Sequence, residues 1–128
     1  MGEKRDQAMQ LLQKMLAPEI SAQLAKGPSG PKFAGDLGEM SMNNIFEPLW
    51  TNETLDPRTR SLVTVAILIA LRATEELEIH FPAAIRNGAT LDELEQVIYQ
   101  ASGYAGFPAA HSARQVAIAA LERAGMLG

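Results

Sequence analysis

The run Leu62-Val-Thr-Val-Ala-Ile-Leu-Ile-Ala-Leu71 most limits how this chain can fold. A helix formed from it is apolar nearly all round, so it has no face suited to water. It is also far shorter than the ~20 residues needed to cross a bilayer. Such a segment is expected at the centre of a globular fold, covered by other elements. Asp56-Pro57 marks its start, with Asp as N-cap and Pro at the first helical position, where a missing N–H does no harm. The helix is expected to run through Arg72.

The remaining segments also read as helices. An opening helix from about Glu3 to Ala25 carries Met9, Leu12, Met15, Leu16, Ile20 and Leu24 at helical spacing, and Pro18 is expected to kink or divide it. The stretch from Lys26 to Gly38 is dense in Gly and Pro and reads as a loop. It divides the chain into an N-terminal helix and loop, 1–38, and a helical domain, 39–128. A short helix around Glu39–Trp50 carries Met42, Ile45, Phe46, Leu49 and Trp50. The helix that follows the central one ends at Asn87-Gly88, a good C-terminal signal. Thr90 with Glu93 forms a capping box opening a helix striped by Leu91, Leu94, Val97, Ile98 and Ala101. A break is expected at 102–107. Pro108 then starts a last helix with a small-residue face (Ala113, Val116, Ala117, Ala120, Leu121, Ala124), stopping at Gly125. No segment alternates with the period of a strand, so the fold class is all-α, a helical bundle.

Composition excludes several functions. With 128 residues the chain suits one domain large enough for a real core. Its net charge of −4, without a basic cluster, disfavours nucleic acid, whose phosphates require dense Lys/Arg. The absence of cysteine removes disulfides, thiol nucleophiles and thiolate metal sites together. The first residues lack a signal peptide's apolar stretch, so the expected location is the cytoplasm, with no membrane association.

Within Ala73-Thr-Glu-Glu-Leu-Glu-Ile-His80, Glu76 and His80 stand four residues apart on one helical face. Glu75, Glu78, Pro82 and Arg86 occupy the opposite arc. Leu77, Ala84, Ile79 and Ala83 flank the pair, so carboxylate and imidazole are expected to face an apolar interior. A buried ionisable pair costs free energy unless paired, and chemistry is the readiest explanation for such a cost. An ordinary i,i+4 surface contact is the plainer alternative.

Residues from about Phe46 to Leu121 resemble the carboxymuconolactone decarboxylase family, the all-helical group that also contains the AhpD-like alkyl hydroperoxidases. The segments carrying the resemblance are Leu55-Asp-Pro-Arg-Thr-Arg-Ser-Leu-Val-Thr64, Glu76-Leu-Glu-Ile-His80, Ile85-Arg-Asn-Gly-Ala-Thr90 with Glu93, and Tyr99-Gln-Ala-Ser-Gly-Tyr-Ala-Gly-Phe-Pro-Ala-Ala110. The peroxidase branch has a Cys-x-x-Cys pair followed four residues later by His. Here those positions are Ala73, Glu76 and His80, so thiol chemistry is excluded by element. The Glu-x-x-x-His form resembles the decarboxylase branch. That implies an AhpD-like bundle, no metal or organic cofactor, and a small anionic substrate such as a carboxylated muconolactone from aromatic degradation. It further implies a homo-oligomer, a trimer or hexamer. Two departures mark this chain: Pro82 directly follows His80-Phe81, where a kink is expected, and His111 stands where decarboxylases often carry an amide.

On this resemblance His80 is the candidate general acid and Glu76 its partner. Arg72, at the end of the central helix, is the first candidate for holding a substrate carboxylate. Trp50, Tyr104 and His111 are candidate substrate contacts, each with packing as the competing reading. Glu76, His80 and His111 make two imidazoles and a carboxylate, but without the spacing of a metal site, so none is expected. The same acid–base pair would also serve an isomerase, cyclase or dehydratase, and the scaffold alone would serve a non-catalytic binding or assembly subunit.

Overall fold

The computed structural model describes residues 2–27 and 30–128, and every regular element among them is helical. The order is α1 (Glu3–Met15), α2 (Pro18–Ala25), α3 (Leu37–Ser41), a π-helix (Met42–Trp50), α4 (Pro57–Leu71), α5 (Thr74–Arg86), α6 (Leu91–Tyr104) and α7 (Phe107–Arg123). Pro28 and Ser29, in the expected Gly/Pro loop, lie outside the described residues. The chain divides into two compact units, Met1–Asp56 and Pro57–Gly128, and the Gly/Pro stretch falls inside the first.

In the first unit Pro18 divides the opening helix, because it cannot donate to the preceding turn and suits a helix start. Ala8, Leu12 and Met15 form the buried side of α1, which packs along the π-helix. Arg5 ties the two elements together, donating from Nη2 to both oxygens of Glu39 (2.8 and 2.9 Å) and from Nη1 to Glu47 at 2.7 Å. The Arg5 charge holds the Glu39 carboxyl below its ordinary range, and Glu39 with Glu47 raises the pKa of Arg5.

The expected helix around 39–50 is α-helical only to Ser41. From Met42 the turns widen to a π-helix that contains Pro48, whose ring removes a donor and crowds the turn before it. Side chains satisfy carbonyls in and just before the widened region: Asn44 Nδ2 donates to Met40 O at 2.8 Å, and the Thr51 hydroxyl donates to Glu47 O. Met42 and Trp50 are buried, and Phe46 stacks on Trp50 with ring centres 6.1 Å apart.

In the second unit α4, α5, α6 and α7 share one core. Helix α4 begins at Pro57 as expected, but it is not covered all round. Ser61, Val65 and Ile69 are buried, whereas Val63, Ile67 and Leu71 are 44%, 53% and 70% exposed. The most enclosed stretch is the second half of α5. Phe81, Pro82, Ala83 and Ala84 are consecutive and buried, although at 100° per residue they point nearly all round the helix. Pro82 therefore lies inside, not on the water-facing arc expected for it. The helix continues through it, and its missing N–H leaves Glu78 C=O without an i+4 donor.

Polar links also join the core helices. Asn87 Nδ2 donates to Ser61 Oγ at 3.0 Å, a buried bond joining the α5 terminus to α4. The capping box forms as expected: Glu93 N–H donates to Thr90 Oγ1, and Thr90 N–H donates to Glu93 Oε1, both at 3.0 Å. Glu93 also pairs with Arg58. The Thr90 backbone bond and then Arg58 hold the Glu93 carboxyl below its ordinary range. Helix α6 runs on through Tyr104, past the expected break at 102, and Gly106 precedes α7. The buried face of α7 is almost all alanine (Ala109, Ala110, Ala113, Ala117, Ala120), which lets its backbone approach α5 and α6 closely.

Phe81 is fully enclosed, so Phe81→Ala is expected to lower unfolding stability by about 3–5 kcal/mol. Urea titration checks this, and a loss under about 1 kcal/mol would contradict the enclosure described for α5.

Candidate active site

The buried seam of α5 is Leu77, Phe81 and Ala84, spaced at i, i+4 and i+7. His80 lies about 60° from Leu77 around the helix, and Glu76 about 100° in the same direction. The seam thus sets both positions: His80 sits on its flank and is partly buried, whereas Glu76, in the first turn, is exposed. The pair is not sequestered together as expected. Only the imidazole enters the apolar layer, because Glu76 lies further round the helix from the buried seam.

His80 Nδ1 is buried and has no hydrogen-bond partner among the described residues. Burial lowers the imidazole pKa from its ordinary 6.5, and the Glu76 carboxylate raises it by a smaller amount. Burial disfavours the imidazolium, so the ring rests neutral near neutral pH. That ring is a poised base or, once protonated, an unusually ready acid.

Arg72 is exposed just beyond α4, and its Nη2 donates to Ser112 Oγ on α7 at 2.9 Å. His111 is the neighbour of Ser112; it is exposed and lies against Phe107, with ring centres 6.5 Å apart. The second unit therefore brings Arg72 beside the first turns of α7, where His111 also lies. Tyr104 is 88% exposed at the end of α6. Trp50 is buried in the first unit and is a packing residue of the π-helix there. Among the described residues no three His, Asp or Glu side chains gather as a metal would require, and Glu76, His80 and His111 are no exception. No described helix is long and apolar enough to cross a membrane.

Sequence reasoning did not single out Ser112, although it stands four residues beyond Pro108 in the opening turns of α7. A lone serine beside a histidine carries no signal until a distant arginine is seen to reach it.

An all-helical unit with a half-buried imidazole whose Nδ1 lacks a partner, and with a guanidinium oriented by Ser112, offers a candidate acid–base group and a candidate anion-binding group. The model of the carboxymuconolactone decarboxylase family matches residues 36–119, and the chain belongs to that family. It is 41% identical over 85 residues to 4-carboxymuconolactone decarboxylase of Acinetobacter baylyi, covering 66% of this chain and 63% of that protein. It is 37% identical over 60 residues to nitrosuccinic acid decarboxylase of Metarhizium robertsii, covering 47% and 42%. An uncharacterized 15.0 kDa protein of Paracoccus denitrificans is 30% identical over 89 residues, covering 68% and 63%. The matched stretches span less than two thirds of these relatives' own lengths.

The lowered His80 pKa has a consequence for stability. Between the folded and unfolded pKa the unfolded chain binds more protons, so stability rises with pH through that window and is complete above about 6.5. As pH falls below 6.5, the wild-type melting temperature should decline, and His80→Gln should flatten that decline. Thermal melts of both proteins from pH 8 to pH 5 check this; parallel curves would count against a desolvated His80.

Proposed function

We propose that this chain is a decarboxylase acting on a small carboxylated lactone of the 4-carboxymuconolactone type by general acid–base catalysis. His80 carries the reading: a half-buried imidazole with a lowered pKa and a free buried nitrogen is chemically poised. The similarity to two decarboxylases supports the reaction class and the anionic substrate.

A γ-carboxylactone loses CO₂ when the electrons of the breaking C–C bond flow into its conjugated carbonyl. The resulting dienolate is then protonated at carbon, so one proton is consumed for each CO₂ released. The substrate's own carbonyl is the electron sink, and the reading needs no metal or organic cofactor. His80 supplies the proton from Nε2 as imidazolium and regains one from solvent. Glu76, exposed one turn away, favours that charged form through space. Arg72 receives a substrate carboxylate. Tyr104 and His111 are solvent-accessible and available for contact with substrate.

His80→Gln should lower kcat about 10²–10³-fold with KM little changed. The value of kcat/KM should fall on the alkaline side with a midpoint below 6.5, and Glu76→Gln should move that midpoint to lower pH. A lactone assay with CO₂ detection distinguishes the outcomes. Unchanged turnover in His80→Gln removes the assignment, and absorbance change without CO₂ points to an isomerase, cyclase or dehydratase.

The same reading includes a homo-oligomer, a trimer or hexamer, whose subunits cover the exposed Val63, Ile67 and Leu71. Ile67→Glu should dissociate it in light scattering, and a monomeric parent chain would end this part of the proposal.

A further inference from the structure

Three helices of the second unit end in one way. Just past each, a residue takes left-handed backbone, and paired N–H groups turn back onto the last carbonyls. At α5, Gly88 N–H donates to Ile85 O (3.0 Å) and Ala89 N–H to Ala84 O (2.9 Å). At α7, Gly125 donates to Glu122 O (3.0 Å) and Met126 to Leu121 O (2.8 Å). At α4, Arg72 donates to Ile69 O (3.0 Å) and Ala73 to Leu68 O (2.9 Å). The pivots have φ of 105° at Gly88, 73° at Gly125 and 57° at Arg72. Glycine adopts this conformation freely, whereas a Cβ meets a neighbouring carbonyl. Two of the three ends use the unstrained residue, and one does not.

A positive charge near a helix C-terminus is favourable in itself, but that does not account for the position. Ala70 and Leu71 are exposed in the last turn of α4, which holds no basic residue, and an arginine at either would meet the dipole without strain. What the strained position adds is direction: the Arg72 guanidinium reaches Ser112 Oγ on α7 at 2.9 Å.

We propose that Arg72 occupies a glycine's position because its guanidinium is a carboxylate-binding group, and that Ser112 is the positioning residue that aims it. The inference rests on the proposed function for the identity of the anion as a carboxylate. One Nη2 donor is engaged by Ser112, and the other guanidinium donors remain for a two-point contact with a carboxylate. Ser112 accepts that bond, so its own hydroxyl proton is available to the same anion.

The test uses the full chain and succinate as the carboxylate probe, with thermal melts and titration calorimetry on four variants. Arg72→Gly should raise the melting temperature by about 3–5 °C as the backbone strain is relieved, and should weaken succinate binding at least about tenfold. Arg72→Lys should bind weakly, since a point charge does not reproduce the fork. Ser112→Ala should leave the melting temperature within about one degree yet weaken succinate about 3–10-fold, and Ser112→Thr should restore binding. Unchanged succinate binding in Arg72→Gly overturns the proposal, as does a lowered melting temperature or a parent chain that binds no succinate. If the chain releases no CO₂ from 4-carboxymuconolactone but Arg72→Gly still loses succinate, the decarboxylase reading fails and this inference stands.

Discussion

The second unit depends on the enclosure of one half-helix. Residues 81–84 of α5 are buried in nearly every direction, and α4 and α7 pack against the helix within the shared core. Phe81 supplies the bulk, Ala83 and Ala84 allow close approach, and Pro82 fills space without requiring an N–H partner. Because that half of α5 is fixed in rotation, the residues one turn earlier are fixed too. His80 enters at the edge of the enclosed layer, and Glu76, closer to the helix start, stays outside it. The acid–base chemistry proposed for the chain is thus a by-product of where one phenylalanine packs.

Local chemistry was legible in the residues, and coverage was not. Pro18, Pro57, Thr90 with Glu93, and Gly125 marked element ends because caps and proline act within one turn of chain. The all-helical class followed from spacing alone. The apolar run 62–71, however, does not say which of its sides neighbours will cover, and α4 leaves Val63, Ile67 and Leu71 in the open. Counting charges on a wheel placed Pro82 with the polar arc, yet an apolar ring goes wherever enclosure demands. The π-helix at 42–50 escaped because its apolar spacing also fits an α-helix, and only the crowding at Pro48 separates the two. Of the candidate site, His80 was legible through its partner one turn away. The Arg72–Ser112 and Ser61–Asn87 bonds join residues far apart in the chain, and no local pattern announces them.

The electrostatics of His80 also explain why an exposed Glu76 serves better than a buried one. A carboxylate brought into the apolar layer would either lose its own charge or hold the imidazole permanently protonated. Left in water, its field is weakened, so burial remains the larger influence and the ring rests neutral. An incoming anion changes that balance, since negative charge beside the ring favours imidazolium in the same sense as Glu76 does. Proton uptake and substrate arrival are then linked: each makes the other more favourable. In the proposed mechanism the acid then forms when there is a carbanion-forming substrate to receive its proton. A neutral resting ring also spares the core a buried charge for the rest of the cycle. In the proposed mechanism the partial burial of one imidazole therefore ties the stability of the bundle to the timing of proton transfer.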